Sequence, residues 1–159
     1  MKKFIIAALV SFFSLAHSQQ NRSSWSIIPS SNGIKFIISY DILNRGNFIV
    51  VRCESSNESN IQVAILTEKI TVYNWEFEVF GNVAFDDVST EIKLYPSKNQ
   101  KALYFDAKNT DFIVKELLSK SVMRLKVKTS FKNGYYDFEF QLKGLKEVLN
   151  QLPCGERFL

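Results

Sequence analysis

The sequence predicts an α+β protein: mainly an antiparallel β-sheet or sandwich, with two helices and one disulfide. After residue 18 the chain keeps eleven of its fourteen phenylalanines, all six tyrosines and both tryptophans, residue types that are enriched in strands. Apolar and polar side chains alternate over several short segments, whereas only two segments repeat with a helical period. Many consecutive strands with two helices predict α+β rather than an alternating α/β order.

The first eighteen residues have the pattern of a signal peptide. Lys2 and Lys3 precede an apolar run over 4–15, and small residues occupy both cleavage-determining positions, Ala16 and Ser18. The run is too short to span a bilayer as a helix. We therefore predict a signal peptide at 1–18 and a single β-rich domain at 19–159. That domain is expected to be exported, periplasmic or secreted, with no stable membrane insertion after cleavage.

Cleavage would also remove two lysines and the only histidine, His17. The formal charge of +4 then falls to +2, since Lys2 and Lys3 are lost, which is too little to favour nucleic acid as a partner. Without a histidine there is no Ser-His or Cys-His pair and no histidine metal site. The scattered glycines lack the spacing of a phosphate-binding loop. We expect no cofactor, no metal site and no enzymatic activity.

The first part of the chain predicts strands and short turns. The tight connection Asn44–Asn47 predicts a hairpin, the polar segment 54–60 predicts a loop, and Gly81 with Asn82 is expected to end a strand. The predicted strands are 25–28, 34–42, 48–53, 61–66, 75–79, 91–95 and 102–106.

Two helices are predicted, at about 109–119 and 144–152. Capping chemistry at Asn109, Thr110 and Asp111 precedes the first of them, because short polar side chains accept hydrogen bonds from the first free amides. In the second, leucine and valine recur at i, i+3, i+4 and i+7 from Leu145, as in an amphipathic helix. Pro153 is expected to end it.

Between the helices, Asn133 and Gly134 predict a two-residue hairpin turn, since both residue types tolerate positive φ. This turn would place Leu125 opposite Leu142 and Lys128 opposite Glu139. One face of the hairpin is then apolar and the other is charged.

A basic row of Arg124, Lys126 and Lys128 lies on the charged face of this hairpin. As a functional feature it would bind an acidic partner or a glycan. The alternative is an ordinary solvated face whose cations pair with Glu139 and its neighbours.

Cys53 and Cys154 are the only cysteines. In an exported chain two distant cysteines most simply form a disulfide, which here would tie the C-terminal helix to the early sheet. A catalytic thiol or two free thiols are the alternatives.

Two further residue pairs have a functional and a structural interpretation. Asp86 and Asp87 are adjacent carboxylates that could hold calcium or catalyse hydrolysis, but turns use aspartate commonly. Trp25 and Trp75 could stack on sugars, although core or interface packing is the more frequent use of tryptophan.

Several motifs together resemble the small periplasmic accessory proteins of type VI secretion systems, the VasI/TagO-like family. These are the export signal, the early Trp25, the run FIVVRC, and the ending FIVKELLSKSVMRLKVKTSFKNGYYDFEFQLKGLKEVLNQLPC. Residues at the places of the family pattern are Arg52, Cys53, Phe112, Leu117, Leu118, Phe138, Leu142, Gly144, Leu145, Leu149 and Cys154. The resemblance spans about residues 25–154 and departs at Leu94 and Tyr95, where such proteins often have tryptophan. It implies a non-enzymatic envelope component.

The expected function is that of a non-enzymatic exported protein that acts through a protein partner in the cell envelope, beside a type VI secretion apparatus if the resemblance holds. A cell-wall or carbohydrate-binding module is one alternative, and a secreted effector or carboxylate-based hydrolase is another. The candidate partner-binding residues are Arg124, Lys126, Lys128 and Trp75. The oligomeric state stays open.

Overall fold

A computed structural model describes residues 23–29, 35–54, 57–67, 79–99, 101–128 and 134–159, with the backbone alone at 54 and 57–59. Within these ranges nine antiparallel strands form one sheet, in the order β1-β2-β3-β4-β7-β6-β5-β8-β9. The predicted α+β class with a mainly antiparallel sheet is confirmed. The predicted signal peptide, Trp75 and Asn133 lie outside the described residues.

The strands and helices follow one another in this order along the chain. The strands are β1 Trp25–Pro29, β2 Lys35–Tyr40, β3 Phe48–Glu54, β4 Asn57–Leu66, β5 Val79–Phe85, β6 Val88–Pro96, β7 Ala102–Phe105, β8 Val122–Lys128 and β9 Tyr135–Gln141. The helices are α1 Ala107–Ser119, α2 Leu145–Leu149 and a 3-10 helix, Pro153–Phe158.

One face of the sheet, here called the inner face, carries the core. Alternate strand residues point to it, as the two-residue period of a strand requires. Ile37, Val51 and Leu103 are fully buried there. Helix α1 packs against β4, α2 against β1 and α1, and the 3-10 helix against β3 and β4. The helices therefore cover the inner face, and the opposite, outer face carries no described helix.

Helix α1 begins two residues earlier than predicted. Its N-cap is Asp106, whose side chain accepts a hydrogen bond from the backbone N–H of Lys108. The predicted capping residues Asn109 and Thr110 lie inside the helix. Thr110 is buried, and its hydroxyl donates to the carbonyl of Asp106 at 3.2 Å.

The second helix is shorter than the predicted 144–152. It begins after Gly144, whose φ of 92° suits glycine, and ends at Leu149. Pro153 starts the 3-10 helix rather than ending all helical structure, since proline lacks only the N–H that a first turn leaves unpaired.

The C-terminal hairpin keeps its predicted faces but not its register. Leu125 pairs with Phe138, and Arg124 pairs with Glu139, a shift of four residues from the predicted pairs. An even shift leaves every side chain on its face, so the hydrophobic pattern is equally satisfied by both registers. The described strands end at Lys128 and begin again at Tyr135, and the predicted turn residue Asn133 lies between them, outside the described residues.

Two other predicted boundaries were wrong. Gly81 and Asn82 lie inside β5. A Cβ at Gly81 would meet Leu125 and Leu94 side chains at 3.2 Å, so this glycine permits close packing. The predicted loop 54–60 is largely strand, because Glu54 pairs with Asn57 at the end of the β3–β4 ladder.

The predicted disulfide is present. Cys53 near the end of β3 and Cys154 in the 3-10 helix are bonded, with their Cα atoms 5.5 Å apart and a separation of 101 positions in sequence. The backbone N–H of Cys154 also points to the sulfur of Cys53 at 3.2 Å. The bond fixes the C-terminal segment to the sheet, as predicted.

The two ends of the sheet meet along one edge of β2. Strand β1 pairs with Lys35–Ser39 of β2. Just after β2, Asp41 forms an isolated β-bridge with Phe140 of β9. The indole N–H of Trp25 donates to the carbonyl of Leu142 at 3.1 Å. The sheet therefore curves until its last strand, β9, contacts the end formed by β1 and β2, and we call this contact the seam.

Asp41 is the centre of the seam. It is 0% exposed, and its carboxylate accepts backbone N–H groups from Leu43 at 3.0 Å and from Glu139 at 2.9 Å. The side-chain amide of Asn47 donates to its second oxygen at 3.0 Å. A buried carboxylate is tolerated when its oxygens are satisfied in this way.

We predict that Asp41→Ala lowers the free energy of unfolding by about 2–4 kcal/mol, because two backbone amides and one side-chain amide lose their acceptor in the core. Asp137→Ala is the control. Its carboxylate is 56% exposed and lies 3.7 Å from the ammonium of Lys126, so we expect a loss of at most about 1 kcal/mol. Urea unfolding measures both, and equal losses would contradict this role of Asp41.

Removing the disulfide should destabilise the protein through its unfolded state. A closed loop of 101 residues contributes roughly 4–5 kcal/mol in the chain-entropy model. Cys53→Ser and Cys154→Ser should lower the melting temperature equally, and the double variant no further, because each change removes the same bond. Additive losses would show that the cysteines act independently.

Candidate functional site

The outer face of β1, β2, β3, β4 and β7 is apolar, although no described helix covers it. Its side chains stand in transverse rows that follow the strand register. One row runs through Ile38, Val50 and Ala64, which are aligned across β2, β3 and β4. Each of the three is only 5% exposed. This row is the floor of a depression that crosses the strands.

Larger side chains on either side of the floor form its walls. Phe36 and Arg52 lie on one side, paired across β2 and β3, and Phe48 and Leu66 lie on the other, paired across β3 and β4. Tyr104 of β7 is also among the lining residues. Together they enclose about 320 Å³, and we call this depression the outer trough.

Arg52 is the one cation among the described residues that line the trough. Its Nε donates to the side-chain oxygen of Gln62 at 2.8 Å, and its guanidinium carbon lies 5.8 Å from the centre of the Phe36 ring. No carboxylate in the described part of the chain forms an ion pair with it. Among the described residues, the partners of the Arg52 guanidinium are thus a neutral amide and an aromatic ring, and neither compensates its charge as an anion would.

The predicted basic row lies on the outer face of β8, as expected. Arg124 pairs with Glu139 at 2.8 Å and Lys126 with Asp137 at 3.7 Å, so two of its three cations are compensated. Lys128 lies opposite Tyr135. Two of the three cations therefore have an anionic partner on β9, and a role of the row in partner binding stays a prediction.

The connection between β2 and β3 exposes apolar side chains beside this paired face. Ile42 is 49% and Leu43 is 60% exposed. Leu43 borders a cleft of about 480 Å³ whose other lining residues include Arg124, Lys126 and Glu139. We call these five residues the hairpin surface.

Of the two tryptophans, Trp25 lies among the described residues and Trp75 does not. Trp25 is 3% exposed and bonded to the seam, so it is a core residue rather than a platform for sugars. Trp75, the fourth candidate partner-binding residue, lies outside the described residues and stays a prediction.

Asp86 and Asp87 form the turn between β5 and β6, which confirms the structural interpretation of this pair. Asp86 has φ 50°, a conformation that aspartate tolerates better than most residues. Its carboxylate accepts the backbone N–H of Ser121 at 3.1 Å and of Val122 at 3.0 Å. Asp86 therefore fastens this turn to the start of β8.

The described ranges contain no group of three or more metal-ligating side chains. In the same ranges no helix has the length and apolar character needed to cross a membrane. The chain matches no protein-family model, no curated protein and no solved structure. What it does is therefore inferred from its own residues.

The outer trough was missed in the sequence. Its signal is the absence of alternation: 48–51 and 63–66 are apolar at every position. Such runs occur where both faces of a strand are covered. Among the described residues, helices contact only the inner face of β3 and β4, and the apolar outer positions line the trough.

We predict that Asp86→Ala lowers the free energy of unfolding by about 1–3 kcal/mol, because two backbone amides lose their acceptor and alanine is strained at this φ. Asp87→Ala, at the exposed neighbouring position, should change it by no more than about 0.5 kcal/mol. Thermal or urea unfolding separates the two. Equal effects would contradict a fastening role for Asp86.

Proposed function

We propose that this chain is a non-enzymatic exported protein that acts by contact with a protein partner in the cell envelope. The observation that carries the proposal is the hairpin surface, where the consecutive residues Ile42 and Leu43 are exposed and Leu43 borders a cleft lined by charged side chains. Exposed apolar side chains rimmed by polar groups are typical of protein-binding sites.

The hairpin surface is also held in place, which favours binding. The N–H of Ile42 donates to the carbonyl of Glu139 at 2.8 Å, and that of Leu43 donates to the buried carboxylate of Asp41 at 3.0 Å. The turn is closed by the N–H of Asn47 on the carbonyl of Asn44 at 2.9 Å. A site that is already ordered loses less conformational entropy on binding.

Export is supported by the disulfide together with the pattern of residues 1–18. Disulfides persist in oxidising compartments outside the cytoplasm, and the Cys53–Cys154 bond is consistent with one. The periplasm is the compartment we propose, because it also agrees with the resemblance to type VI secretion accessory proteins. The partner proposed on the same ground is a subunit of that apparatus.

Catalysis by the adjacent carboxylates is not part of the proposal. Asp86 is engaged by two backbone amides at the start of β8, which gives its carboxylate a structural use. The glycan-binding alternative is based on Trp75 and Tyr73, which lie outside the described residues, and it stays an alternative.

A crosslinked affinity pulldown of the mature protein from intact source cells, read by mass spectrometry, tests the proposal. Wild type should enrich a specific envelope protein, and Leu43→Asp should reduce that enrichment at least about tenfold, as loss of a central apolar contact does. Leu159→Asp is the control, at a residue that is 49% exposed on the C-terminal segment.

The control variant should recover the same protein as wild type. Recovery of cell-wall fragments alone, or equal enrichment with Leu43→Asp, would contradict the proposal. If the protein recovered is a secretion-system membrane subunit, the finer assignment is supported; any other envelope protein contradicts that assignment alone.

A further inference from the structure

Beyond the proposed protein contacts, we infer that the outer trough binds one free medium-chain fatty acid, with its carboxylate on Arg52. The trough lies on a different part of the sheet from the Leu43 cleft, and none of the described residues lining it also lines that cleft. The inference can therefore be tested separately from the proposed function.

The shape of the trough favours a narrow, apolar occupant. Its floor of Ile38, Val50 and Ala64 runs across the strands, and the lining extends from Ile28 on β1 to Tyr104 on β7. That distance is four strand spacings, or roughly 19 Å. The volume of about 320 Å³ is at the small end of the roughly 300–1,000 Å³ of ligand pockets.

The chemistry of the floor favours an acyl chain over a peptide. The floor strands β2, β3 and β4 each pair with a strand on both sides, so their backbone groups are committed to the sheet. A peptide lying across them would bury its own amides without partners, at a cost of roughly 1–3 kcal/mol each. An acyl chain has no polar group along its length and incurs no such cost.

Arg52, in the wall at β3, supplies the positive charge that would pair with the carboxylate of the occupant. Gln62 takes the Nε hydrogen, and no described residue accepts a hydrogen bond from the two terminal nitrogens of the guanidinium. A carboxylate matches that pair in a bidentate geometry. Because the described wall carries this single cation and the volume suits one chain, a free fatty acid fits better than a two-chain phospholipid.

Titration calorimetry of the mature, disulfide-bonded protein with dodecanoate, below its micelle concentration, tests the inference. We expect saturable binding of one molecule. Arg52→Gln should weaken dodecanoate binding at least about tenfold, since it removes a charge-assisted pair, and should leave dodecanol binding unchanged. Ala64→Trp, which fills the floor, should abolish binding of both compounds.

Lys101→Gln is the matched control for charge. Lys101 borders a neighbouring cleft beyond the wall of Phe48 and Leu66, and its loss should leave dodecanoate binding unchanged. If Ala64→Trp does not fold, as judged by its circular dichroism, the difference in dodecanoate binding between Arg52→Gln and Lys101→Gln still tests the inference.

Three results would overturn the inference. One is no saturable binding of dodecanoate, and another is equal weakening by Arg52→Gln and Lys101→Gln. The third is binding to phosphatidylglycerol vesicles that Arg52→Gln reduces while free dodecanoate does not bind, since the occupant would then be a membrane surface.

Discussion

The structure depends on one buried carboxylate. Asp41 is fully buried where the two ends of the sheet meet, and it accepts hydrogen bonds from Leu43, Asn47 and Glu139. Burying a carboxylate costs several kcal/mol unless its oxygens accept hydrogen bonds. The buried Asp41 carboxylate therefore requires these donors, and the donors require it as their acceptor. The Asp41 carboxylate thereby holds together Leu43 and Glu139, which are far apart in sequence. The curvature of the sheet follows from that closure.

Both candidate binding features follow from the closed sheet. The hairpin surface begins at Ile42, the residue after Asp41, so its position is set by the hydrogen bonds of the seam. The outer trough lies on the other side of the same strands, where Ile38 and Val50 point away from the core. The disulfide acts at the far end of β3, where Cys154 fixes the C-terminal segment over the inner face. The inner face thus carries the core, and both proposed binding features lie outside it.

Local patterns predicted most of the strands, the two helices and the disulfide, because each depends on residue type and spacing that the chain itself displays, whereas β5 was placed too early in the chain. Register was harder, since a shift of four residues between β8 and β9 keeps Leu125 and Phe138 on the same face and satisfies the pattern equally. The cap at Asp106 was missed because three polar residues that follow it are equally plausible caps. The seam was missed because Asp41 is a single polar residue after a strand, and its partner Glu139 is 98 residues away. Nothing in a local window couples the two.

Amide hydrogen exchange at the seam tests the closure most directly. If Asp41 joins the two ends of the sheet in one cooperative unit, the amides of Ile42 and Glu139 should open with the same free energy as that of Val51, a fully buried residue in the interior of β3. Exchange at Ile42 and Glu139 about a hundredfold faster, with Val51 still protected, would mean that the seam opens on its own. The sheet would then be stable without its closure, contrary to this account.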